Sequence, residues 1–197
     1  MKEFWDDRYG KSEYAYGTAP NDYFKRWIDS QTPGSILFPC EGEGRNAVYA
    51  ATKGWEVYAF DYSSKAKEKA IALANLFSVK INYEINDALL YKNPVLFDAI
   101  VLIFAHFQPV SRQNIHQRLI NMLKSDGIIL LEAFHNQQIE NQSGGPKNPE
   151  MLYSLKDLKS DFASMKILSL ENEEIQLFEG RYHEGKADVV RMMAQKT

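Results

Sequence analysis

Apolar residues along this chain follow two rhythms: short runs with no polar break, and longer stretches in which they recur three and four positions apart. The runs predict strands at 35–38, 56–60, 81–85, 97–107 and 128–133, and the second rhythm predicts helices over 45–53, 65–77 and 112–123. Pro39 lies where the first strand must stop, because its missing N–H does least harm at a strand end. Gly54 stands where a helix C-terminal cap belongs, and Ser63 or Ser64 can cap the helix that follows. Segment 97–107, FDAIVLIFAHF, is almost wholly apolar, the pattern of a central parallel strand covered on both faces. Five strands alternating with helices predict a doubly wound, Rossmann-like α/β sheet.

Beyond residue 135 the rhythm changes. Residues 136–149 (NQQIENQSGGPKNP) are polar and broken by Gly144, Gly145 and Pro146, which predicts one long loop. Ser154 with Asp157 three positions on predicts the start of a helix over 155–162. Two β-like runs, 166–178 and 187–194, follow with only EGRYHEGK between them, and strands with no helix between them pair antiparallel. The expected sheet therefore has seven strands, mostly parallel, with an antiparallel C-terminal pair. The first 30 residues carry Phe4, Trp5, Tyr9, Tyr14, Tyr16, Tyr23, Phe24 and Trp27, broken by Gly10, Gly17 and Pro20, and predict a helix, a loop and a second helix. The expected organisation is a single domain over 1–197, with an aromatic N-terminal region at 1–30, a ligand-binding core at 35–135 and a C-terminal helix and β pair at 150–197.

Composition narrows the function classes. The chain has 197 residues, 45% hydrophobic and 25% charged, enough for one sizeable core. Cys40 is the single cysteine, so no internal disulfide forms. The net charge of −3, with no basic run or stripe, argues against nucleic acid as a partner. No window approaches the ~20 apolar residues of a membrane span, and MKEFWDDRYG has charge where a secretory signal needs an apolar stretch. A cytoplasmic protein acting on small molecules, away from membranes, is expected. The four histidines show no ligand spacing, so no metal site is expected.

In a doubly wound sheet, ligands sit at the carboxyl ends of the strands near the topological switch point. Gly42 and Gly44 follow the first strand there and open the first helix, letting backbone approach a ligand closely. Asp61 ends the second strand, where an acid accepts hydrogen bonds from ribose hydroxyls. GEGRNA satisfies G-x-G-x-x-G/A with Ala47 last, so both a dinucleotide such as NAD and S-adenosylmethionine fit. Glu41 and Glu43, however, place two carboxylates around the loop. At close range these disfavour a pyrophosphate by on the order of 1 to 4 kcal/mol, whereas a sulfonium and an ammonium suffer no such penalty. The antiparallel tail also departs from the two mononucleotide-binding halves of the NAD fold. The residues favour S-adenosyl-L-methionine; an NAD-dependent oxidoreductase and a non-catalytic S-adenosylmethionine-binding protein are the rivals.

The segment ILFPCEGEGRNAVYAATKGWEVYAFDYS resembles the first two motifs of class I S-adenosylmethionine-dependent methyltransferases, and with Pro39 it is similar to their thiopurine and tellurite-resistance branch. The resemblance extends to FWDDRYG and EYAYGTAPN at the start, DALLY at 87–91, AHFQP at 105–109, GGPKNPEMLYS at 144–154 and the closing β pair. It implies that Glu41, Gly42 and Gly44 hold the methionine part of the cofactor. Asp61, followed by Tyr62, would hold the ribose, Asp87 with Ala88 the adenine, and Phe104 would complete the cofactor set. Phe38 and Cys40 stand where many members have an acid and a glycine. Cys40 reads as a small buried residue, because no histidine or lysine lies near it and Glu41 would raise its pKa.

The same resemblance implies a lid formed by Trp5, Tyr9, Tyr14 and Tyr16 over a pocket edged by His106 and Phe107. His106 could take a proton from a nucleophile or only shape the wall. Tyr182 is a candidate substrate contact in the turn of the terminal hairpin, although exposure to solvent is the default expectation for it and for His183. His116 and His135 are expected on the surface or in loops. The absence of an N/D-P-P-Y/F string after the fourth strand speaks against amino-methylating DNA and protein enzymes. A small acceptor nucleophilic through sulfur, selenium, tellurium or oxygen is left open.

Overall fold

The computed structural model describes residues 2–197. Strands β1 (Ser35–Pro39), β2 (Glu56–Asp61), β3 (Asn82–Ile85), β4 (Phe97–Ile103), β5 (Leu123–Phe134), β6 (Met165–Phe178) and β7 (Glu184–Lys196) form one sheet in the order β3-β2-β1-β4-β5-β7-β6. The pairs from β3 to β5 are parallel, and β7 runs antiparallel to both β5 and β6. The doubly wound sheet with its antiparallel C-terminal pair thus forms as the sequence pattern requires. Strand order reverses between β1 and β4, which opens a crevice above their carboxyl ends.

Helices α1 (Lys2–Tyr9), α2 (Asp22–Ile28), α3 (Arg45–Thr52), α4 (Ser64–Leu76), α5 (Pro109–Asn121) and α6 (Leu155–Asp161) complete the fold. Their ends follow local chemistry: Ser63 Oγ accepts from the Ala66 amide to start α4, and Ser154 with Asp157 forms a full capping box on α6. The core lies on both faces of the sheet. Leu37, Phe60, Ile100, Leu131 and Phe162 pack on one side, and Phe24, Ile36, Phe38, Ala47, Val101 and Leu130 on the other.

Several boundaries differ from the pattern. β4 stops at Ile103 although the apolar run continues to residue 107, because Phe104 turns left-handed (φ +52°) and donates its N–H to Glu132 O at 2.7 Å. Leu123, read as the end of a helix, instead pairs with Phe97 and starts a β5 longer than 128–133. The polar segment after β5 is not one irregular loop: it holds 3₁₀ turns at Asn136–Glu140 and Pro149–Met151. His116, expected at the surface, is fully buried. It lies one position after the core residue Ile115 on α5, and its Nδ1 meets Asp161 of α6 at 2.9 Å, which α6 could supply only through tertiary packing.

No helix among the described residues is long and apolar enough to cross a membrane.

Candidate active site

The loop after β1 carries the geometry of the crevice floor. Cys40, Gly42 and Gly44 all take positive φ (54°, 64° and 87°), a path open to glycine but strained for a side-chain-bearing residue such as Cys40. The Cys40 thiol is pushed well up by burial, then by the carboxylates of Asp61 and Asp87. Gly42 N–H donates to Asp61 Oδ2 at 3.1 Å, and Tyr83 hydroxyl donates to Gly42 O at 2.6 Å. The second Asp61 oxygen accepts from Ser63 N–H at 3.0 Å. Asp61 therefore sits at the end of β2 with one bond on each oxygen and further lone pairs open. Burial, against these amide bonds, raises its carboxyl to about 6.

Glu41 and Glu43, separated only by Gly42, do different work. Glu41 Oε1 accepts from the Asn46 and Ala47 amides at 2.9 and 2.8 Å, so it caps the first turn of α3 from the loop. Burial pushes this carboxyl up to about 7 in spite of those bonds. Glu43 turns away, accepting from Ala15 N–H at 2.6 Å and from Lys69 Nζ at 2.7 Å. It thereby ties the N-terminal segment to α4. Gly44 serves packing, since a Cβ there would lie 2.6 Å from that of Ala70 on α4.

On the far side of Asp61, Tyr62 stands beside Asp87; burial, then the Asp87 carboxylate, push its phenol up to about 12. Asp87 Oδ1 accepts from Leu89 N–H at 2.7 Å, and Ala88 is buried with Phe60 and Tyr91.

The N-terminal aromatic residues divide. Tyr9 is buried at the tip of α1 with its ring stacked on Trp5 at 5.4 Å, and its hydroxyl lies 2.8 Å from where a Gly42 Cβ would be. Ser63 Oγ donates to Asp6 at 2.5 Å, which holds α1 over the crevice. Tyr16 joins Tyr9 and Tyr182, and Arg8 lies over the Tyr182 ring at 4.3 Å while its NH1 donates to the Tyr16 hydroxyl at 2.7 Å. Tyr14 goes elsewhere: it packs on Val48, Leu73 and Ala74 and donates to Lys69 O at 3.2 Å. Phe107 likewise points into the core against His116. Trp5, Tyr9, Tyr16 and Tyr182 form the roof, and Tyr14 and Phe107 are anchors beside it.

His106 is enclosed. Its Nδ1 donates to Met151 O at 2.7 Å, and its Nε2 accepts from Phe134 N–H at 3.2 Å, so the ring joins the end of β5 to the 3₁₀ turn before α6. Burial lowers its pKa to about 4, and no lone pair is left for an incoming proton.

His183, expected in solvent, is buried instead, because the hairpin between β6 and β7 folds back onto the roof. Gly180 and Gly17 meet backbone to backbone there, and a Cβ on Gly180 would lie 2.7 Å from Gly17 N. His183 Nδ1 donates to Glu179 Oε2 at 3.2 Å, and the same oxygen takes Arg45 NH2 at 2.8 Å. Glu179 Oε1 accepts from Asn21, whose amide also reaches Glu132 at 2.6 Å. Asn21, Arg45, Glu132, Glu179 and Arg191 line one side of a cavity of about 570 Å³ beside the roof. No pattern in the sequence marks this network, apart from the i, i+4 spacing of Glu179 and His183. Among the described residues no cluster of three or more histidine, cysteine, aspartate or glutamate side chains could hold a metal ion.

Residues 36–127, which run from β1 into β5 and include the glycine loop, match the family model described as a methyltransferase domain. No curated protein matches the sequence. The fold is shared with solved proteins of low identity. One, from work on the conversion of a disulfide bond into a thioacetal group during echinomycin biosynthesis, has a TM-score of 0.83 at 18% identity and covers 100% of this chain and 91% of its own. TehB from Haemophilus influenzae has a TM-score of 0.73 at 15% identity, over 100% of this chain and 67% of its own. The N-methyltransferase NodS from Bradyrhizobium japonicum, in complex with S-adenosyl-L-homocysteine, has a TM-score of 0.71 at 13% identity, over 99% of this chain and 97% of its own.

Proposed function

We propose that this chain is an enzyme that transfers a methyl group from S-adenosyl-L-methionine to a small-molecule acceptor. The observation that carries the reading is Glu41. A dinucleotide places its pyrophosphate on the free amides of the helix that follows the glycine loop. Here the Asn46 and Ala47 amides of α3 are already taken by a carboxylate of the chain itself. An anionic ligand finds its donors occupied and meets a carboxyl that ionises near pH 7, whereas a ligand carrying an ammonium and a sulfonium favours the ionised form.

The residues present fit that cofactor in class. Gly42 offers a face without a side chain, Glu41 and Asp61 offer carboxylates, and Asp87 beside Tyr62 closes the far end. S-adenosyl-L-methionine supplies an electrophilic methyl. The chain's part is to hold it in the crevice, exclude water with Trp5, Tyr9 and Tyr16, and bring the acceptor in line with the carbon–sulfur bond, a displacement that depends chiefly on positioning. His106 serves as wall and brace in this reading, since both its ring nitrogens are bound to backbone. The likeness to NodS, solved with S-adenosyl-L-homocysteine, supports the cofactor class, and the acceptor is a protic or anionic small nucleophile. Calorimetry with S-adenosyl-L-methionine, S-adenosyl-L-homocysteine and NAD tests the reading. Binding of the first two without the third is expected; binding of NAD alone overturns it.

A further inference from the structure

We propose that His183 is the general base that takes the proton from the methyl acceptor, with Glu179 and Arg45 as its positioning residues. This rests on the methyl-transfer reading above. The site sits where an acceptor must come. The His183 ring lies edge-on to Phe104 at 4.5 Å, at the left-handed turn that ends β4, and 5.3 Å from Phe134 at the end of β5. It therefore lies by the carboxyl ends of β4 and β5, with Tyr16 of the roof at 4.4 Å.

The ring is held as a base needs to be. Nδ1 donates to the Glu179 carboxylate, which fixes the tautomer and leaves a lone pair on Nε2. Arg45 and Asn21 hold that carboxylate in turn, so the imidazole is oriented by a group that is itself oriented. None of the described residues hydrogen-bonds Nε2. Gly144 flanks it, and a Cβ there would lie 2.8 Å from Cδ2 and 3.3 Å from Nε2, so a side chain at this position would press on that edge of the ring. His106, the other histidine of the crevice, has neither nitrogen free.

The step balances simply. The proton of the acceptor passes to Nε2 while the acceptor's lone pair forms the bond to the methyl carbon. The carbon–sulfur bond breaks with its electron pair on sulfur, and the imidazolium returns the proton to solvent. The charged and titratable neighbours of the ring are Glu179, Arg45, Arg8, Tyr16 and His106. Burial, with the Arg45 and Arg8 charges, holds its pKa below the ordinary histidine value, although Glu179 raises it.

The test compares wild type with His183→Gln and His183→Ala on two probe acceptors, an alkyl thiol that is protonated at pH 7 and an acidic aryl thiol that is already ionised. With the alkyl thiol, both variants should lose about 10² to 10⁴-fold in kcat. With the ionised aryl thiol they should keep wild-type kcat within a few fold, and added imidazoles should rescue His183→Ala more strongly as their basicity rises. Equal losses on both thiols, or a rescue indifferent to basicity, overturn the base role. So does the absence of turnover on either thiol while S-adenosyl-L-methionine still binds by calorimetry. Failure of S-adenosyl-L-methionine to bind the wild type overturns the methyl-transfer reading instead.

Discussion

Replacing Glu41 with glutamine isolates one charge in the floor of the crevice. Glutamine keeps an oxygen for the Asn46 and Ala47 amides and removes the ionisation. Burial lifts the folded carboxyl from 4.5 to about 7. Between those values the folded protein binds a proton that the unfolded chain releases, so this group's contribution to stability falls as pH rises from about 4.5 to 7. At about 1.4 kcal/mol for each tenfold change, the loss is at most about 3.5 kcal/mol, and partial exposure makes this an upper bound. Asp61, raised to about 6 in the same sense, is present in both proteins and drops out of the comparison. Urea unfolding of the ligand-free protein at pH 5 and pH 8 should show wild type losing up to this much more than Glu41→Gln. Ligand binding should run the other way. S-adenosyl-L-methionine should bind wild type more tightly as pH rises from 6 to 8, S-adenosyl-L-homocysteine less steeply because it lacks the sulfonium, and the variant should show little of this pH dependence. Parallel stability profiles for the two proteins would refute the reasoning, because they would mean that Glu41 ionises alike in the folded and unfolded chains.

Further outcomes follow from the same site. Asp61→Ala should weaken cofactor binding by roughly 1.5 to 3 kcal/mol in calorimetry, the range for a hydrogen bond to a charged group, with Asp61→Asn intermediate because it can still accept from Gly42 or Ser63. Gly42→Val should abolish binding, since its φ of +64° resists a β-branched residue and its Cβ would press on the Tyr9 hydroxyl at 2.8 Å. Glu43→Ala should loosen the N-terminal segment by freeing Ala15 N–H and Lys69, and amide exchange should quicken across residues 9–17 while β1 and β4 stay protected.

The sheet was legible because its strands are marked by local rules. Buried parallel strands read as apolar runs, Ser154 and Asp157 cap α6 from three residues apart, and Gly54 ends α3 with a φ of +88°. The crevice floor was legible in the same way, since Gly42, Gly44 and Asp61 end strands or open helices. What stayed hidden depends on partners distant in the chain. Glu43 reads like Glu41 until Ala15 and Lys69 arrive, 28 and 26 positions away. His116 looks like a polar position on an amphipathic helix until Asp161 comes in with α6. His183 looks like a turn residue in solvent until the hairpin closes on Tyr16. His106 reads as part of the end of β4, but the strand stops at Ile103, and the ring's surroundings depend on Met151 and Phe134, which no spacing near it announces.

The roof over the crevice joins parts of the chain that are made at very different times. Lys11 reaches the Tyr182 hydroxyl across 171 positions, and Asn21 reaches Glu179 across 158. At roughly 5 to 20 residues per second of synthesis, the aromatic N-terminal segment exists for on the order of ten to thirty seconds before the hairpin it will touch has been made. Through that interval α1 has only the β1 loop and α4 to lie against, while the wall of the crevice that Tyr16 will cover is still missing. The crevice floor is thus a product of early assembly and its cover of late assembly, so a chain stalled before β6 would present the glycine loop, Asp61 and Asp87 without the hairpin that closes over them.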